Sequence, residues 1–121
     1  MPVCLATAAA VVHLAASSFT LAWVHSIEKV RWEEDYRVAG DRLELVEARI
    51  QGSAAGMEPP EGAHLEGGWW HYTPAQRWHE ELRLTRSTYA RDYELCVAGY
   101  CRSLSDVAPQ REGITRVYAC R

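Results

Sequence analysis

Apolar and polar positions alternate with a period of two through much of the chain. The pattern is plainest in VRWEEDYRV, where Trp32, Glu34, Tyr36 and Val38 share one face and Arg31, Glu33, Asp35 and Arg37 the other. Side chains on an extended backbone point to opposite sides in turn, so this spacing predicts a strand with one face turned inward. Ala39-Gly40-Asp41 is a turn, and RLELVEARI is the returning strand of a hairpin. Within that strand Leu43 and Leu45 share one face while Val46, Ala48 and Ile50 share the other. Such a change of phase implies a bulge near Leu45-Val46, or a strand that passes from one sheet or barrel wall to the next. Upstream, VVHLAA and FTLAW carry β-branched and aromatic residues in frames too short for helices, separated by Ser17-Ser18. Downstream, AHLEGGWWHY forms a short hairpin around Gly67-Gly68, and ELRLTRS, YELCVAG, YCRSL and ITRVYAC are further strands. TPAQRWHEEL, residues 73–82, has helical potential, with Thr73 as cap and Pro74 at the first helical position. The expected fold is one all-β domain over residues 1–121. It is a small antiparallel barrel or sandwich of about eight to ten short strands.

QGSAAGMEPPEG, residues 51–62, holds three glycines and two prolines and is the long loop of the chain. Hydrophobic residues at 48% and charged residues at 24% exclude a disordered or collagen-like chain. The net charge of −3, with thirteen basic residues spread without a run, removes the electrostatic footprint that nucleic-acid binding needs. Residues 3–24 are apolar, but His13, Ser17, Ser18 and Thr20 interrupt them and no Lys or Arg precedes them. They fit neither a membrane-spanning helix nor an intact signal peptide.

Ala98-Gly99 in ELCVAGYCRSL is the centre of a tight turn. With a two-residue loop, Val97 and Tyr100 flank the turn, and Cys96 and Cys101 form the next pair, where strands approach most closely. Ala98 is not a residue that primed turns prefer, so a four-residue loop closed by the same bond fits equally. Cys4 and Cys120 lie at the two ends in strand-like stretches, PVCLA and TRVYAC. If the first and last strands are neighbours, a bond between them cross-links almost the whole chain. Four cysteines allow three connectivities, of which Cys4–Cys120 with Cys96–Cys101 ranks first, ahead of reduced thiols and of zinc. Disulfides imply an oxidising compartment. The expectation is a periplasmic or otherwise extracytoplasmic monomer, with its native signal peptide absent from this chain.

AWVHSIEKVRWEEDYRV is the densest run of potential chemistry. His25 ends the row Phe19, Leu21, Trp23 and reads first as a structural histidine at the edge of the core. Glu34 sits between Trp32 and Tyr36 on an apolar face, and a buried carboxylate is costly unless paired. Its expected partners are Lys29, His25 or Arg49 across the sheet. A hydrolase reading of His25, Ser26 and Glu28 fails, because neighbours on a strand face opposite ways and no G-x-S-x-G elbow exists. His64, His71 and His79 lack ligand spacing, so neither a metal nor a cofactor is expected. In GMEPPEG the Pro-Pro step stiffens the backbone and displays Met57 and Glu58, as a recognition surface, a barrel plug or a solvated connection. Trp69, Trp70, Tyr72 and Trp78 supply an aromatic wall or belong to the core.

FTLAWVHSIEKVRWEEDYRV, ARIQGSAAGMEPPEG and the late C-x4-C hairpin together resemble the bacterial family called domain of unknown function 1850. Phe19, Trp23, His25, Ser26, Glu28, Lys29, Trp32, Glu33, Glu34, Gly56, Met57, Glu58, Pro59, Pro60, Cys96 and Cys101 carry the resemblance. It implies association with TAXI-type tripartite ATP-independent periplasmic (TRAP) transporters and brings no activity with it. The expectation is an accessory or binding module. Trp23, His25, Glu28, Lys29 and Glu34 would form a polar pocket or contact surface beside Met57 and Glu58, open to a transporter component or a small solute. The alternative is a purely structural ion-pair network.

Overall fold

The computed structural model describes residues 2–24, 29–52 and 60–121. In chain order these form β1 (Val3–Ala6), β2 (Val11–Leu14), β3 (Ser18–Val24), β4 (Arg31–Ala39), β5 (Arg42–Gln51), β6 (His64–Glu66), β7 (Trp69–Tyr72), β8 (Trp78–His79), β9 (Leu82–Arg86), β10 (Glu94–Val97), β11 (Tyr100–Ser103), the helical turn α1 (Leu104–Val107) and β12 (Gly113–Ala119). The fold is all-β and antiparallel. A small sheet runs β2-β1-β12-β9, and a large one runs β11-β10-β3-β4-β5-β7-β6, with β8 added against β5.

Val3, Leu5, Leu82, Leu84 and Val117 of the small sheet meet Phe19, Leu21, Tyr36, Leu43, Leu45 and Leu95 of the large one in a single core. Both sheets are open, so the sandwich holds and the barrel does not. Closure would require the edges to pair, and the large sheet ends in short strands, β6 and β11, whose side chains are mostly exposed and offer no apolar face to close on.

The phase change in β5 is a bulge. Asp35 pairs with Glu47 and Tyr36 with Leu45, leaving Val46 as the extra residue, 40% exposed. Because one residue is skipped, Leu43, Leu45, Ala48 and Ile50 all stay buried on the inward side. Residues 73–82 do not form the expected helix. Trp78 and His79 pair instead with Glu44 and Leu43, and the Leu45 amide donates to the Arg77 carbonyl at 2.7 Å. A two-turn helix is marginal on its own, whereas β5 beyond its pairing with β7 presents a free edge that this segment satisfies. The helical turn lies at Leu104, capped by the Ser103 hydroxyl.

At the β10–β11 turn Ala98 and Gly99 have φ of +53° and +81°, and Cys96 stands opposite Cys101. The chain therefore takes the two-residue loop, despite an alanine where glycine or asparagine is favoured. Cys96–Cys101 and Cys4–Cys120 are both disulfides, with Cα separations of 3.9 Å and 5.8 Å. β1 and β12 are neighbours, with Cys4 opposite Tyr118.

One buried cation braces the small sheet. Arg86 follows Leu82 and Leu84 on the inward side of β9 and is 3% exposed. It donates to both carboxylate oxygens of Asp92 (2.9 and 2.8 Å), to the Ala108 carbonyl (2.8 Å) and to the Thr115 hydroxyl (3.0 Å). Burial would raise the Asp92 carboxyl, but the guanidinium and the Ser105 hydroxyl outweigh that and hold it below the usual range.

Two outcomes are expected. Intact mass of the unreduced protein lies about 4 Da below the reduced value, and alkylating reagent adds nothing before reduction. Asp92→Ala, which strands the Arg86 charge, costs about 3 kcal/mol in denaturant unfolding.

Candidate functional site

The inward face of the large sheet changes character along its strands. Phe19 and Leu21 on β3 are 4% and 3% exposed, and the Phe19 ring stacks on Tyr36 at 5.3 Å. Beyond them the core gives way to half-buried aromatic residues. Trp23 stands opposite Trp32 with rings stacked at 6.1 Å, and Tyr93 meets Trp23 edge-on at 6.1 Å. Between these zones lies Glu34, in a lateral row formed by Leu95, Leu21, Glu34, Ala48 and Tyr72. Its immediate neighbours in that row, Leu21 and Ala48, give it no hydrogen bond.

Among the described residues the partner of Glu34 is not a cation. Tyr36 donates its hydroxyl to Glu34 Oε1 at 2.8 Å, and among the described residues no other donor reaches the carboxylate. Lys29 is exposed, with φ of +61°, and Arg49 belongs to the opposite face of the sheet. Residues 49 and 34 sit on different strands one register step apart, so the pleat sends their side chains to opposite sides. His25, Glu28, Met57 and Glu58 lie outside the described residues.

Desolvation raises the Glu34 pKa above the ordinary carboxylate range; the Tyr36 hydrogen bond and the His79 ring pull it only part of the way back. Burial, then the Glu34 charge, pushes the Tyr36 hydroxyl far upward. Tyr72 and Tyr93 are raised in the same sense, first by burial and in part by the same carboxylate. The His79 ring meets Tyr36 edge-on at 6.0 Å, and its Nε2 is buried with no hydrogen-bond partner among the described residues. The arrangement is a partly desolvated anion flanked by aromatic rings. Such a surround favours a cation, through charge and through the ring faces together.

The outward face of the same sheet carries more charge and less opportunity. Arg49 donates to Glu33 at 2.7 Å and to both oxygens of Asp35 at 2.7 and 3.0 Å, while Arg31 joins Glu33 to Glu94 at 2.7 and 2.6 Å. Thr20 donates to Asp35 at 2.6 Å. Burial would raise the Asp35 carboxyl, but Arg49 and Thr20 hold it low. Glu44 is covered by Arg37 and Arg77, whose guanidinium groups hold its carboxyl below the usual range. A cleft of about 570 Å³ opens on this face between Thr20, Asp35, Arg49 and the Cys96–Cys101 hairpin. Both oxygens of Glu33 and of Asp35 are already engaged within the network, so a ligand there would have to compete with existing ion pairs.

Sequence reasoning singled out Trp23 and Glu34 and offered Tyr72 as part of an aromatic wall, but missed the parts played by Tyr36, Tyr93 and His79. Tyr36 was visible as an inward neighbour of Glu34 at i+2, and its hydroxyl was the overlooked signal. Tyr72 and Tyr93 reach Glu34 across strand pairings that no local pattern reveals, and His79 was hidden by the helical reading of residues 73–82.

Fold and site define a disulfide-stapled antiparallel β-sandwich whose large sheet carries an anionic, aromatic-flanked patch on its inward face. A family model described as a domain of unknown function, DUF1850, matches residues 19–104, and the chain belongs to that family. The match runs from β3 to the start of α1; β1, β2 and β12 lie outside it. No curated protein and no solved structure matches the chain.

Because the Glu34 pKa is raised, the folded state binds that proton more tightly than the unfolded chain. Its contribution to stability is therefore present at low pH and falls as pH rises through the window between the ordinary and the raised pKa. Glu34→Gln is expected to remove that slope, and at pH 8 to leave stability unchanged or higher by less than about 1 kcal/mol. Denaturant unfolding of both proteins at pH 5 and pH 8 checks it; a large loss at pH 8 would contradict it.

Proposed function

We propose that the chain is an extracytoplasmic binding module that takes a small organic cation against Glu34, with Trp23, Trp32, Tyr93 and Tyr72 as the aromatic surround. One observation carries this reading: an inward carboxylate raised by desolvation, held by a single hydroxyl, with no cationic side chain paired to it among the described residues. Such a group destabilises the fold at neutral pH unless something positive completes it, which is a common mark of a binding site. His25, Glu28, Lys29, Met57 and Glu58 make up the rest of the surface in this reading. In support, the chain enters those segments from Val24, Lys29 and Gly52, and Val24 follows Trp23 while Gly52 lies two residues past Ile50, the partner of Trp32.

The compartment rests on the two disulfides, which persist where conditions are oxidising. The partner we propose is a component of a TAXI-type TRAP transport system, to which the module would present or from which it would receive a cationic solute. The family resemblance in the Phe19–Glu34 and Gly56–Pro60 motifs supports that choice.

Choline and its neutral analogue 3,3-dimethyl-1-butanol separate charge from shape. Tryptophan fluorescence or calorimetric titration is expected to show binding of choline and not of the alcohol. Glu34→Gln should weaken it by at least about tenfold, and Trp23→Ala by about 1–2 kcal/mol. Affinity should fall as pH is lowered through the raised Glu34 pKa, since the protonated carboxyl loses its charge. Equal binding of both compounds, or an unaffected Glu34→Gln, would remove the cation from the reading and leave Glu34–Tyr36 as a packing feature.

A further inference from the structure

A second cluster lies in the small sheet, outside the patch described above. Cys4 on β1 stands directly opposite His13 on the adjacent β2, and Cys120 follows the end of β12 on the other side. Cys4 Sγ lies 3.4 Å from His13 Nδ1, and one donor atom from each of Cys4, His13 and Cys120 falls within 4.8 Å of the other two. Cys4 is buried, Cys120 partly so, and His13 is exposed. We propose that these three residues form a site for a divalent d10 cation of the zinc class when the Cys4–Cys120 bond is reduced.

The Cys4–His13 separation is that of two ligands around one ion. A zinc ion bound to sulfur at about 2.3 Å and to nitrogen at about 2.0 Å in tetrahedral geometry holds those two atoms about 3.6 Å apart. The Cys4–His13 separation is already within a few tenths of an ångström of that, because cross-strand pairing fixes the two backbones. Two zinc-bound thiolates stand about 3.8 Å apart, which the 5.8 Å Cα separation of Cys4 and Cys120 accommodates. A water would take the fourth position. No histidine or carboxylate joins Cys96 and Cys101 in a comparable group among the described residues.

Entry to this state needs a dithiol reductant. One of its thiolates attacks Cys120 Sγ, the more accessible sulfur; the disulfide breaks, and the electron pair goes to Cys4 Sγ beside His13 Nδ1, where a proton is taken up. The second thiol of the reductant then releases Cys120 as a thiol and closes the reductant into its own disulfide. Zinc displaces the two thiol protons and takes neutral His13 through Nδ1. Oxidation reverses the sequence, so the same two sulfurs staple the first and last strands in one state and grip an ion in the other.

Cobalt(II) serves as the probe, since thiolate-to-cobalt absorption and the visible bands of four-coordinate cobalt report the ligand set directly. The protein carries Cys96→Ser and Cys101→Ser, so that a single pair remains, and is reduced with dithiothreitol and desalted without oxygen. One equivalent of cobalt is expected to bind with thiolate absorption and to be displaced by zinc, while the unreduced protein shows none. His13→Ala should weaken binding at least about tenfold, the loss already seen when a partner one shell out is removed. Circular dichroism of the unreduced variant should stay unchanged. A reduced protein without thiolate-to-cobalt absorption, folded or not, overturns the proposal, as does equal affinity in His13→Ala.

Discussion

Antiparallel pairing of β1 with β12, locked by Cys4–Cys120, joins chain segments 116 residues apart in sequence and brings the small sheet into existence. β1 and β12 are its two inner strands; β2 pairs with β1 and β9 with β12, so their meeting joins two strand pairs into one sheet. Val3, Leu5 and Val117 then form the roof over Phe19, Leu21 and Leu45. Closing so long a loop is entropically costly, and a cross-link removes roughly 4–5 kcal/mol of that cost from the unfolded side. Arg86 depends on the same event, since its hydroxyl partner, Thr115, arrives with β12.

The large sheet depends on a smaller adjustment. Without the extra residue at Val46, the phase of β5 would reverse halfway along, and either Leu43 and Leu45 or Ala48 and Ile50 would face water. The bulge keeps all four inward while sending Glu47 and Arg49 outward, where Arg49 bridges Glu33 and Asp35. One skipped residue thus sorts the two faces: a saturated ion-pair lattice outside, and an apolar face interrupted by Glu34 inside.

Most of this was legible because period-two alternation is a local signal. VRWEEDYRV, the phase change at Leu45-Val46, the Gly67-Gly68 hairpin and the stacking of Cys96 over Cys101 each follow from residues within a few positions of one another. The barrel alternative and the helix at residues 73–82 were decided by contacts that local pattern does not contain, whereas the Tyr36 hydroxyl that meets Glu34 lies only two residues away and was overlooked. Trp78 and His79 are extended because a distant edge of β5 needed partners. Of the expected partners Lys29, His25 and Arg49, the pleat assigns Arg49 to the opposite face from Glu34, and His25 lies outside the described residues. Arg86 was readable from the Leu82, Leu84, Arg86 alternation, although an inward arginine is unusual.

The contrast between the two faces bears on what the domain is for. A charged group kept for stability is normally satisfied, as Asp35 and Asp92 are, each with a guanidinium partner, a lowered pKa and a contribution to stability that is lost only in acid. Glu34 has the opposite sign: it costs stability at neutral pH, where the others contribute it. Replacing it with a leucine beside Leu21 would extend the core by one more apolar residue, so stability offers no reason for a carboxylate there. A stapled scaffold can carry such a residue because two covalent closures and the Arg86 brace offset its cost. Among the described residues the fold thus gives up stability to hold a negative charge among aromatic rings, and it is this cost that supports the proposal of a cation as the group that completes the patch.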